Sequence, residues 1–485
     1  MQFNSYVFIL LFLPITVIIY FLINKINVTA GKLVLILSSI LFYAYQRYEM
    51  LVYLVISIAL NYALARAVRK CDKERRTISK AIITFAIILN IIALLYFKYL
   101  NFGIANINNI LGTSIGLRSI ILPLGISFYT FQQIAYMVSV YKGEINVGIV
   151  DYLVYILYFP KILMGPLVEP EDFYKQINDD KLKSFNTENI AFGLKVFSYG
   201  LLKKVLLADT FSAAVSWGYD HYETLTSSDL LLIMLFYTFE IYFDFSGYTD
   251  MAMGASQMLN IELPINFDSP YKALSIRDFW KRWHISLTKF FTKYLYIPLG
   301  GSRKGSLCTY VNTLIIFIVS GLWHGAQWTF VLWGILHGLF SVIDRMLEKA
   351  KIHIFEPFRW LLTFSVVNVL WLLFGSTSIS QWEESLLRII QMHSTSVTRG
   401  LMDSFEISEC GFVFDFLHLN SLYYTINGFC MWIFIGVAAF ICFVPQNTNT
   451  SRGKLNVISA FRTAIALSWG ILCLGKASSF LYFGF

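Results

Sequence analysis

Histidine side chains interrupt two stretches of this chain that are otherwise rich in apolar and aromatic residues. Residues 320–340 read SGLWHGAQWTFVLWGILHGLF and contain His324 and His337. A neutral imidazole accepts a proton near neutral pH, so His324, between Trp323 and Gly325, could deprotonate a hydroxyl as a general base. The alternative is a histidine that is hydrogen-bonded in a protein core. His337 lies about 220° further round a continuous helix, so we expect it to face elsewhere and to be structural.

The second stretch, residues 275–299, reads SIRDFWKRWHISLTKFFTKYLYIPL and has the periodicity of a surface helix. At about 100° per residue, its tryptophans, phenylalanines and leucines cover one arc, and cationic side chains that include Arg282 cover the opposite arc. His284 falls inside the apolar arc, with Arg277 two turns earlier on the same flank. The pattern predicts one basic amphipathic helix at the membrane interface, with His284 directed towards the protein interior.

Carboxylates occur where the sequence is otherwise suited to a membrane. In LLLIMLFYTFEIYFDFSGYTDMAMG, Glu240 and Asp244 have i, i+4 spacing and share a helical face, and Asp250 follows shortly after. Uncompensated charge in a bilayer is costly, so such groups pair with one another or line a functional cavity. Pairing with the lysines of GLLKKVLLAD (200–209) or with Arg277 is one interpretation. A role in a polar tunnel is the other.

The composition identifies the elements that must position these groups. Of the 485 residues, 57% are hydrophobic and 14% are charged, whereas a soluble domain carries roughly a quarter charged residues. Long apolar blocks recur along the chain at 6–23, 81–97, 230–243, 308–323, 358–374 and 458–474. A spanning helix needs about 20 apolar residues, so we predict an all-α polytopic membrane protein with about eleven to thirteen transmembrane helices.

The organisation of the chain is that of one continuous unit. No repeat or separable soluble domain is visible, so residues 1–485 are predicted to form a single membrane-embedded domain. The polar stretch 375–427 is expected to be an extramembrane excursion with one amphipathic helix that could contact a partner. Seven basic residues between Arg66 and Lys80 predict a cytoplasmic loop. With three helices before this loop, residue 1 would lie outside.

The charge and the motif content exclude several other classes of protein. The net charge is +8, but the basic residues flank apolar segments and form no continuous patch, so we expect no nucleic-acid partner. The cysteines show no metal spacing, and the sequence contains neither a phosphate-binding loop nor a zinc-protease motif. We therefore expect neither a bound metal nor a bound cofactor.

Several stretches together resemble one known family. They are LPLGISFYTFQQIAYMVSVYKG (122–143), FPKILMGPL (159–167), GLLKKVLLAD (200–209), YFDFSGYTDMAMG (242–254), NFDSPYKALSIRDFWKRWHISLTKFFTKYLYIPLGGSR (266–303), SGLWHGAQWTFVLWGILHG (320–338) and SSFLYFGF (478–485). Their content and order are similar to those of the membrane-bound O-acyltransferase family. The nearest branch is that of the bacterial alginate O-acetylases, which is related to the membrane protein that passes D-alanine towards teichoic acids.

The resemblance implies an assignment of residues. His324 corresponds to the family's membrane-embedded histidine and His284 to its second signature histidine, so both are expected to be catalytic. In related proteins the first lies deep in a central tunnel that joins both membrane faces, and the second lies nearer the cytoplasm. The candidate tunnel or donor-site residues are Trp323, Glu240, Asp244, Asp250, Arg277 and Arg282.

The resemblance also implies a reaction. The chain would transfer an acyl group, most simply acetyl, to a hydroxyl of a cell-surface polysaccharide, with His324 as general base. The donor would be a cytoplasmic thioester, either acetyl-coenzyme A or an acyl carrier protein. A location in the cell membrane and an extracytoplasmic acyltransferase as partner are further implications. An acyl relay to that partner, a proton-coupled transporter and a structural scaffold are the alternatives.

Three sites depart from the family's usual pattern. Asp268 stands where asparagine is commoner, and Ser139 replaces an acidic residue. Thr292 and Lys293 replace a frequent Arg-Asp pair and so remove one carboxylate near the expected donor entrance. These changes touch neither signature histidine, so they bear on the identity of the donor or partner and not on the reaction class.

Overall fold

The structure, a computed structural model, describes residues 1–71, 76–392, 394–406, 416–417, 423–445 and 456–481. All regular secondary structure in these ranges is helical, which confirms the all-α prediction. Residues 72–75 of the basic loop, part of the stretch 375–427 and residues 482–485 of the last motif lie outside the described residues.

The α-helices follow one another along the chain, with longer connections at 112–125 and 258–275. The first part of the chain contains α1 Leu13–Ile26, α2 Val28–Ala44, α3 Leu51–Lys70, α4 Arg76–Leu111, α5 Ile126–Lys142, α6 Ile149–Leu157, α7 Phe159–Ile162, α8 Pro170–Ile177, α9 Thr187–Leu202, α10 Asp209–Asp220 and α11 Ser227–Gln257. The second part contains α12 Ile276–Arg282, α13 Ile285–Phe291, α14 Gly305–His324, α15 Trp328–Lys349, α16 Glu356–Gly375, α17 Ile379–Gln391, α18 Arg399–Asp403, α19 Tyr423–Phe443 and α20 Val457–Leu472. Turns of π-helix lie at Phe8–Phe12, Lys203–Ala208 and Thr292–Tyr296.

The membrane class is evident from helix length and composition. Among the described residues, nine helices are long and apolar enough to cross a membrane: Phe8–Ile26, Tyr48–Lys70, Arg76–Leu111, Ser227–Gln257, Gly305–His324, Trp328–Lys349, Glu356–Gly375, Ile426–Phe443 and Val457–Gly475. The predicted count of eleven to thirteen included weaker segments. In the structure these are shorter helices such as α2 and the largely buried α5. A helix that other helices shield from lipid needs less apolar length than one that faces it.

The chain divides into two compact units. One consists of residues 1–197 and 249–265, and the other of residues 198–248 and 266–485. In the first unit, Lys32 of α2 pairs with Asp151 of α6 at 2.6 Å. The expectation that residues 1–485 form a single membrane-embedded domain stays a prediction.

The stretch 275–299 is interrupted, whereas the sequence predicted one continuous helix. The Ser275 side chain accepts a hydrogen bond from the Asp278 amide and so caps α12, which has only seven residues. His284 then adopts a left-handed backbone conformation with φ of 44°. The chain restarts as α13, followed by a turn of π-helix. The prediction of one helix was wrong. Of its apolar arc, Trp280, Trp283, Leu287, Phe290 and Phe291 are buried as expected, whereas Tyr294 and Leu295 are only partly buried.

Asn266 explains why the interruption at His284 is tolerated. The first amides of a helix have no partner within the helix and must be satisfied from outside it. The backbone oxygen of Asn266 accepts from the Ile285 amide at 3.0 Å, and its side-chain oxygen accepts from the Ser286 amide at 3.1 Å. A residue distant in sequence therefore supplies the hydrogen bonds that a continuous helix would have made.

A hairpin of α14 and α15 places the histidines of 320–340 on different helices. α14 ends at His324, and α15 begins at Trp328. The expectation that His337 faces elsewhere assumed one continuous helix, and that assumption is wrong. The rings of His324 and His337 instead pack against the same Trp333.

Glycines allow α14 and α15 to pack closely. A Cβ atom on Gly321 would overlap the carbonyl oxygen of Phe330, and one on Gly334 would overlap that of Phe317. Close contact of helix backbones at small residues is a common way of packing membrane helices. The glycines therefore determine how near the two histidine-bearing helices approach.

The described residues of 375–427 include α17 and α18. Arg388 of α17 donates hydrogen bonds to the backbone oxygens of Tyr222 (3.2 Å) and Leu225 (2.5 Å), in the connection between α10 and α11. These bonds anchor α17 to that connection.

Candidate active site

His324 lies at the end of α14 in an aromatic enclosure. Its ring is edge-on to Trp323 at 4.8 Å, to Trp333 at 5.1 Å and to Phe374 at 5.2 Å between ring centroids. The side chain is buried, with only 3% of the residue exposed. An imidazole at this position could accept a proton in its neutral form, which is the form that a general base requires.

His284 also packs against Trp323. Its ring is edge-on to Phe245 at 4.7 Å and to Trp323 at 6.1 Å. Neither ring nitrogen is hydrogen-bonded to another described residue. Burial lowers the pKa of His284 to about 3. The structure thus brings the two signature histidines together around one tryptophan, and His284 is neutral at physiological pH.

The backbone at His284 is strained. A φ of 44° is uncommon for a residue other than glycine, although histidine tolerates it better than branched residues do. Strain of this kind costs on the order of 1–3 kcal/mol and often occurs at functional sites. At this position it turns the imidazole into the protein interior between α12 and α13.

A cavity of about 270 Å³ lies next to α12 and the α14–α15 hairpin. It is lined by Arg277, Trp280, Lys281, Leu287, Thr288, Phe291, Thr292, Tyr296, Thr313, Ile316, Phe317, Ser320, Ser341 and Arg345. Ser320 lies one helical turn before His324, and Lys281 is exposed. The lining therefore includes the solvent-exposed end of α12 and α14 as far as Ser320, but neither signature histidine.

Cationic side chains line one part of this cavity. Arg277 forms an ion pair with Glu348, and its amide donates to Asp344 at 3.1 Å. Glu348 also interacts electrostatically with Lys281 and Arg345. The sequence singled out Arg277 but missed Lys281 and Arg345. In the sequence, charge was the only property that could have identified these two residues as part of the site. They come together only because α12 packs against α15.

Arg282 does not line the cavity. Its Nε donates to Asp278 at 3.0 Å, and one of its terminal nitrogens donates to the backbone oxygen of Asp268 at 3.3 Å. The Asp268 amide in turn donates to the backbone oxygen of Arg282 at 2.9 Å. These contacts give Arg282 a structural position at the end of α12.

The carboxylate of Asp244 belongs to a buried ion cluster. Lys204 Nζ lies 2.7 Å from a carboxylate oxygen of Asp244 and 2.7 Å from one of Asp209. It also donates to Ser478 at 3.0 Å, and the Leu481 amide donates to Asp244 at 3.0 Å. Burial lowers the pKa of Lys204, but the two carboxylates outweigh that effect and raise the pKa above its usual value.

The other two carboxylates are not among the ligands of Lys204, although Glu240 interacts electrostatically with the cluster. Glu240, one turn before Asp244, is buried and accepts a hydrogen bond from Ser212. Its second oxygen has no hydrogen-bond partner among the described residues. Asp250 is buried within the unit formed by 1–197 and 249–265. In the described part of the chain, no group of three His, Cys, Asp or Glu side chains is placed to hold a metal ion.

Comparison with known proteins defines the class of protein. The sequence profile of MBOAT, the membrane-bound O-acyltransferase family, matches residues 145–379, which include both signature histidines. A bacterial relative is 34% identical over the whole of this chain. The chain therefore belongs to the membrane-bound O-acyltransferase family, and it is an O-acyltransferase with several membrane-spanning helices.

The relatives carry more particular names. The full-length relative is the peptidoglycan O-acetyltransferase of Helicobacter pylori, of which 97% is covered. The "Probable alginate O-acetylase AlgI" of Pseudomonas aeruginosa is 35% identical over 78% of this chain and 73% of its own length. The teichoic acid D-alanyltransferase of Streptococcus thermophilus is 30% identical over 49% of this chain and 60% of its own length.

Proposed function

We propose that this chain transfers an acetyl group from a cytoplasmic thioester to a hydroxyl of a cell-surface polysaccharide, with His324 as the general base. The observation that carries the proposal is the position of His324. It is buried among three aromatic rings, one helical turn from the cavity-lining Ser320. The relatives named for O-acetylation of peptidoglycan and alginate support the acetyl group and the polysaccharide acceptor.

The proposed reaction needs one base. The His324 imidazole takes the proton of the acceptor hydroxyl while the oxygen attacks the carbonyl carbon of the thioester. The carbon–sulfur bond breaks, and the leaving thiolate takes up the proton that the imidazole holds. Exchange of a thioester for an ester is close to thermoneutral or downhill, so positioning and proton transfer suffice. The aromatic walls exclude water, which would otherwise hydrolyse the donor.

The donor occupies the cavity beside α12. Acetyl-coenzyme A and an acyl carrier protein both present their thioester on an arm that carries phosphate. Arg277, Lys281 and Arg345 supply cationic groups for that phosphate, and apolar side chains line much of the remaining wall. The cavity adjoins α14 at Ser320, one helical turn before His324, so the acyl end of the thioester would have to extend beyond the cavity towards His324. Thr292, one of the departures from the family pattern, is also in the wall.

His284 acts on the donor side of the reaction. Its neutral ring carries one N–H group, and neither ring nitrogen is hydrogen-bonded to another described residue. A hydrogen bond from this group would stabilise the developing thiolate, or orient the thioester before attack. The competing interpretation is a packed histidine with no part in the reaction.

The acceptor and a partner complete the system. The polysaccharide hydroxyl reaches His324 from the extracytoplasmic face of the cell membrane. A separate extracytoplasmic acyltransferase is the expected partner, and the stretch 375–427 is its candidate docking region. Because some relatives are named for teichoic acid D-alanylation, an acyl relay to that partner is the second form of this proposal.

A proton-coupled transporter would use the buried carboxylates as proton carriers. Asp244 is held by Lys204 at 2.7 Å and by the Leu481 amide, an arrangement that favours a fixed structural pair. Proton-coupled uptake of a substrate into liposomes without any acyl donor would favour the transporter over the transferase.

The proposal is tested by measuring ester-linked acetate on the surface polysaccharide of a deletion strain. The strain is complemented with the wild-type chain, with His324→Ala or with His221→Ala. His221 is exposed and stacks on Trp217, so its variant controls for the loss of a histidine elsewhere in the chain. We expect the wild type and His221→Ala to restore acetate and His324→Ala to leave it at the deletion level.

Two results would contradict the proposal. Unchanged acetate after deletion would reject transfer of acetyl to the surface polysaccharide. Full restoration by His324→Ala would reject the general base and leave the scaffold interpretation. Membrane levels of each variant, measured by immunoblot, exclude poor expression as the cause of a loss.

A further inference from the structure

His337 makes a specific hydrogen bond to the wall of the cavity. The Trp280 indole N–H donates to His337 Nδ1 at 3.2 Å. Both residues are buried, with exposed fractions of 7% for Trp280 and 1% for His337. An indole nitrogen can only donate, so Nδ1 must be the acceptor. A neutral His337 therefore carries its proton on Nε2.

The His337 ring is enclosed by aromatic rings. It is nearly parallel to Phe279 at 6.4 Å and to Phe317 at 6.1 Å, with interplanar angles of 10° and 20°. It is inclined at 69° to Trp333, with ring centroids 4.6 Å apart. Its Nε2 has no hydrogen-bond partner among the described residues. The bond from Trp280 is thus the one polar contact that the described residues make with this ring.

A histidine is an unfavourable choice if this position serves packing alone. A buried N–H without a partner destabilises the folded chain, and a phenylalanine in the same space would have no such group. The property that histidine adds to an aromatic ring here is the acceptor at Nδ1. That acceptor acts on Trp280.

Trp280 occupies a central place on α12. It lies between Arg277 and Lys281 in sequence, and all three side chains line the cavity. α12 has only seven residues, and a helix of that length is not stable without tertiary contacts. A bond that holds Trp280 against α15 therefore also holds the cationic side chains beside the cavity.

Trp333 connects the same region to the general base. Its ring centroid lies 4.6 Å from that of His337 and 5.1 Å from that of His324. The cavity wall and the base are thus packed against one shared indole. His324 keeps its own contacts to Trp323 and Phe374, which do not involve His337.

We propose that His337 is a positioning residue for the acyl donor: by accepting the Trp280 indole hydrogen bond it holds α12 and its cationic side chains in place around the donor cavity. The inference rests on the proposed function, because it requires that the cavity holds the thioester. It predicts that loss of the bond weakens donor binding and leaves the chemical step at His324 largely intact.

The test compares variants of the two bonded residues. His337→Phe keeps an aromatic ring but removes the acceptor, and Trp280→Phe removes the donor. His337→Asn retains an acceptor oxygen near the position of Nδ1. Trp382→Phe is the matched control, since it removes an indole hydrogen bond of the same kind, to the Val369 oxygen at 3.1 Å, at a residue that does not line the cavity.

The measurement is the rate of thiol release by membrane vesicles that contain the full chain. Acetyl-coenzyme A and acetylated acyl carrier protein serve as donors in parallel, with soluble peptidoglycan fragments or deacetylated alginate as acceptor. We expect His337→Phe and Trp280→Phe each to raise the donor KM about five- to tenfold, with kcat within about twofold of the wild type. The donor KM of the double variant should be no higher than that of either single variant, because both substitutions remove the same hydrogen bond.

His337→Asn should recover most of the donor affinity, and Trp382→Phe should leave KM unchanged. An unchanged donor KM in Trp280→Phe or His337→Phe would overturn the inference, as would fully additive effects or a loss confined to kcat. If His337→Phe fails to accumulate in the membrane, Trp280→Phe tests the same bond. Absence of thiol release by the wild type with every donor and acceptor would instead reject the proposed function, and this inference with it.

Discussion

The signature histidines His284 and His324 both pack edge-on against Trp323. Burial disfavours the charged form of an ionisable side chain. For His284 the effect is large, since burial lowers its pKa to about 3. A group that takes up its proton only in strong acid cannot account for a change of transfer rate near neutral pH. Any such change in this chain must come from another group.

The depressed pKa of His284 predicts that the protein is sensitive to acid. In the unfolded chain this histidine binds a proton below pH about 6.5, whereas in the folded chain it binds one only near pH 3. Stability is therefore lost as the pH falls from about 6.5 towards 3, by on the order of 2 kcal/mol at pH 5. His284→Asn removes the titrating group and should reduce the loss of melting temperature between pH 7.5 and pH 5 by a few degrees.

The choice of asparagine isolates the charge from the backbone. Asparagine tolerates the left-handed conformation at residue 284, so this variant adds little strain. His284→Val adds strain as well and should lower the melting temperature at both pH values. An equal pH response of the wild type and His284→Asn in detergent would contradict the assignment of a neutral, buried imidazole.

The ion cluster at Lys204 predicts an order of stability among variants. Lys204→Met leaves two buried carboxylates, on Asp209 and Asp244, without their cation. Asp244→Asn leaves the pair of Lys204 with Asp209 intact. We expect Lys204→Met to destabilise the protein by about 3–5 kcal/mol, and Asp244→Asn by clearly less.

Thermal unfolding of the purified variants in detergent would measure this order. The reverse order, with Asp244→Asn the more damaging, would mean that the carboxylate does more than compensate the lysine. Asp244 would then return as a candidate tunnel residue.

At the scale of helices, the two signature histidines lie where a helix ends or is interrupted. α14 ends at His324, and the backbone is left-handed at His284, between α12 and α13. At both points, contacts with segments distant in sequence take the place of a continuing helix. The α14–α15 hairpin then brings Trp333 against His324. Its packing depends on Gly321 and Gly334, where an added Cβ would overlap a backbone oxygen of the facing helix.

Gly321→Ala is predicted to separate the two helices. The overlap is with a carbonyl oxygen, which cannot rotate away as a flexible side chain can. Overpacking of this kind typically costs about 1–3 kcal/mol, and the displacement of α14 should reduce transfer at least tenfold because His324 moves with it. Ester-linked acetate on the polysaccharide and the melting temperature measure the two effects.

Gly436→Ala is the matched control in another membrane helix. Gly436 lies in α19, and a Cβ there would meet no atom within 4 Å. The replacement of glycine by alanine should be neutral or slightly stabilising in a helix. Equal behaviour of Gly321→Ala and Gly436→Ala would show that the hairpin tolerates wider separation and that its spacing does not set the position of His324.

For the whole molecule, the basic loop between α3 and α4 predicts an orientation in the membrane. Basic loops stay in the cytoplasm, so α4 should run from the cytoplasm to the outside. Lys70 at the end of α3 and Thr113 after α4 are both exposed and should lie on opposite faces. Placed singly in a cysteine-free chain, Lys70→Cys should resist a membrane-impermeant maleimide in intact cells, and Thr113→Cys should react.

Permeabilised cells supply the control, because both cysteines should then react to the same extent. Labelling of Lys70→Cys but not of Thr113→Cys in intact cells would invert the orientation. The donor cavity and the acceptor would then have to be reassigned to opposite faces.

Local patterns in the sequence were sufficient for the class of the protein. Apolar blocks predicted an all-α membrane protein, and the motifs around His284 and His324 identified the family, because both signals are carried by residues close together in the chain. The burial of the first part of the apolar arc of 275–299, from Trp280 to Phe291, was predictable for the same reason. The catalytic roles of the two histidines stay predictions that the proposed experiments test.

Only the tertiary structure decided how these segments meet. Helical periodicity does not reveal that Asn266 caps α13 after the interruption at His284, or that a hairpin packs His337 and His324 against the same Trp333. Nor does it reveal that Lys281 and Arg345 line one cavity with Arg277, or that Asp244 is paired with Lys204. These contacts join residues far apart in the chain, and their geometry follows from how whole helices pack, a property that no local pattern encodes.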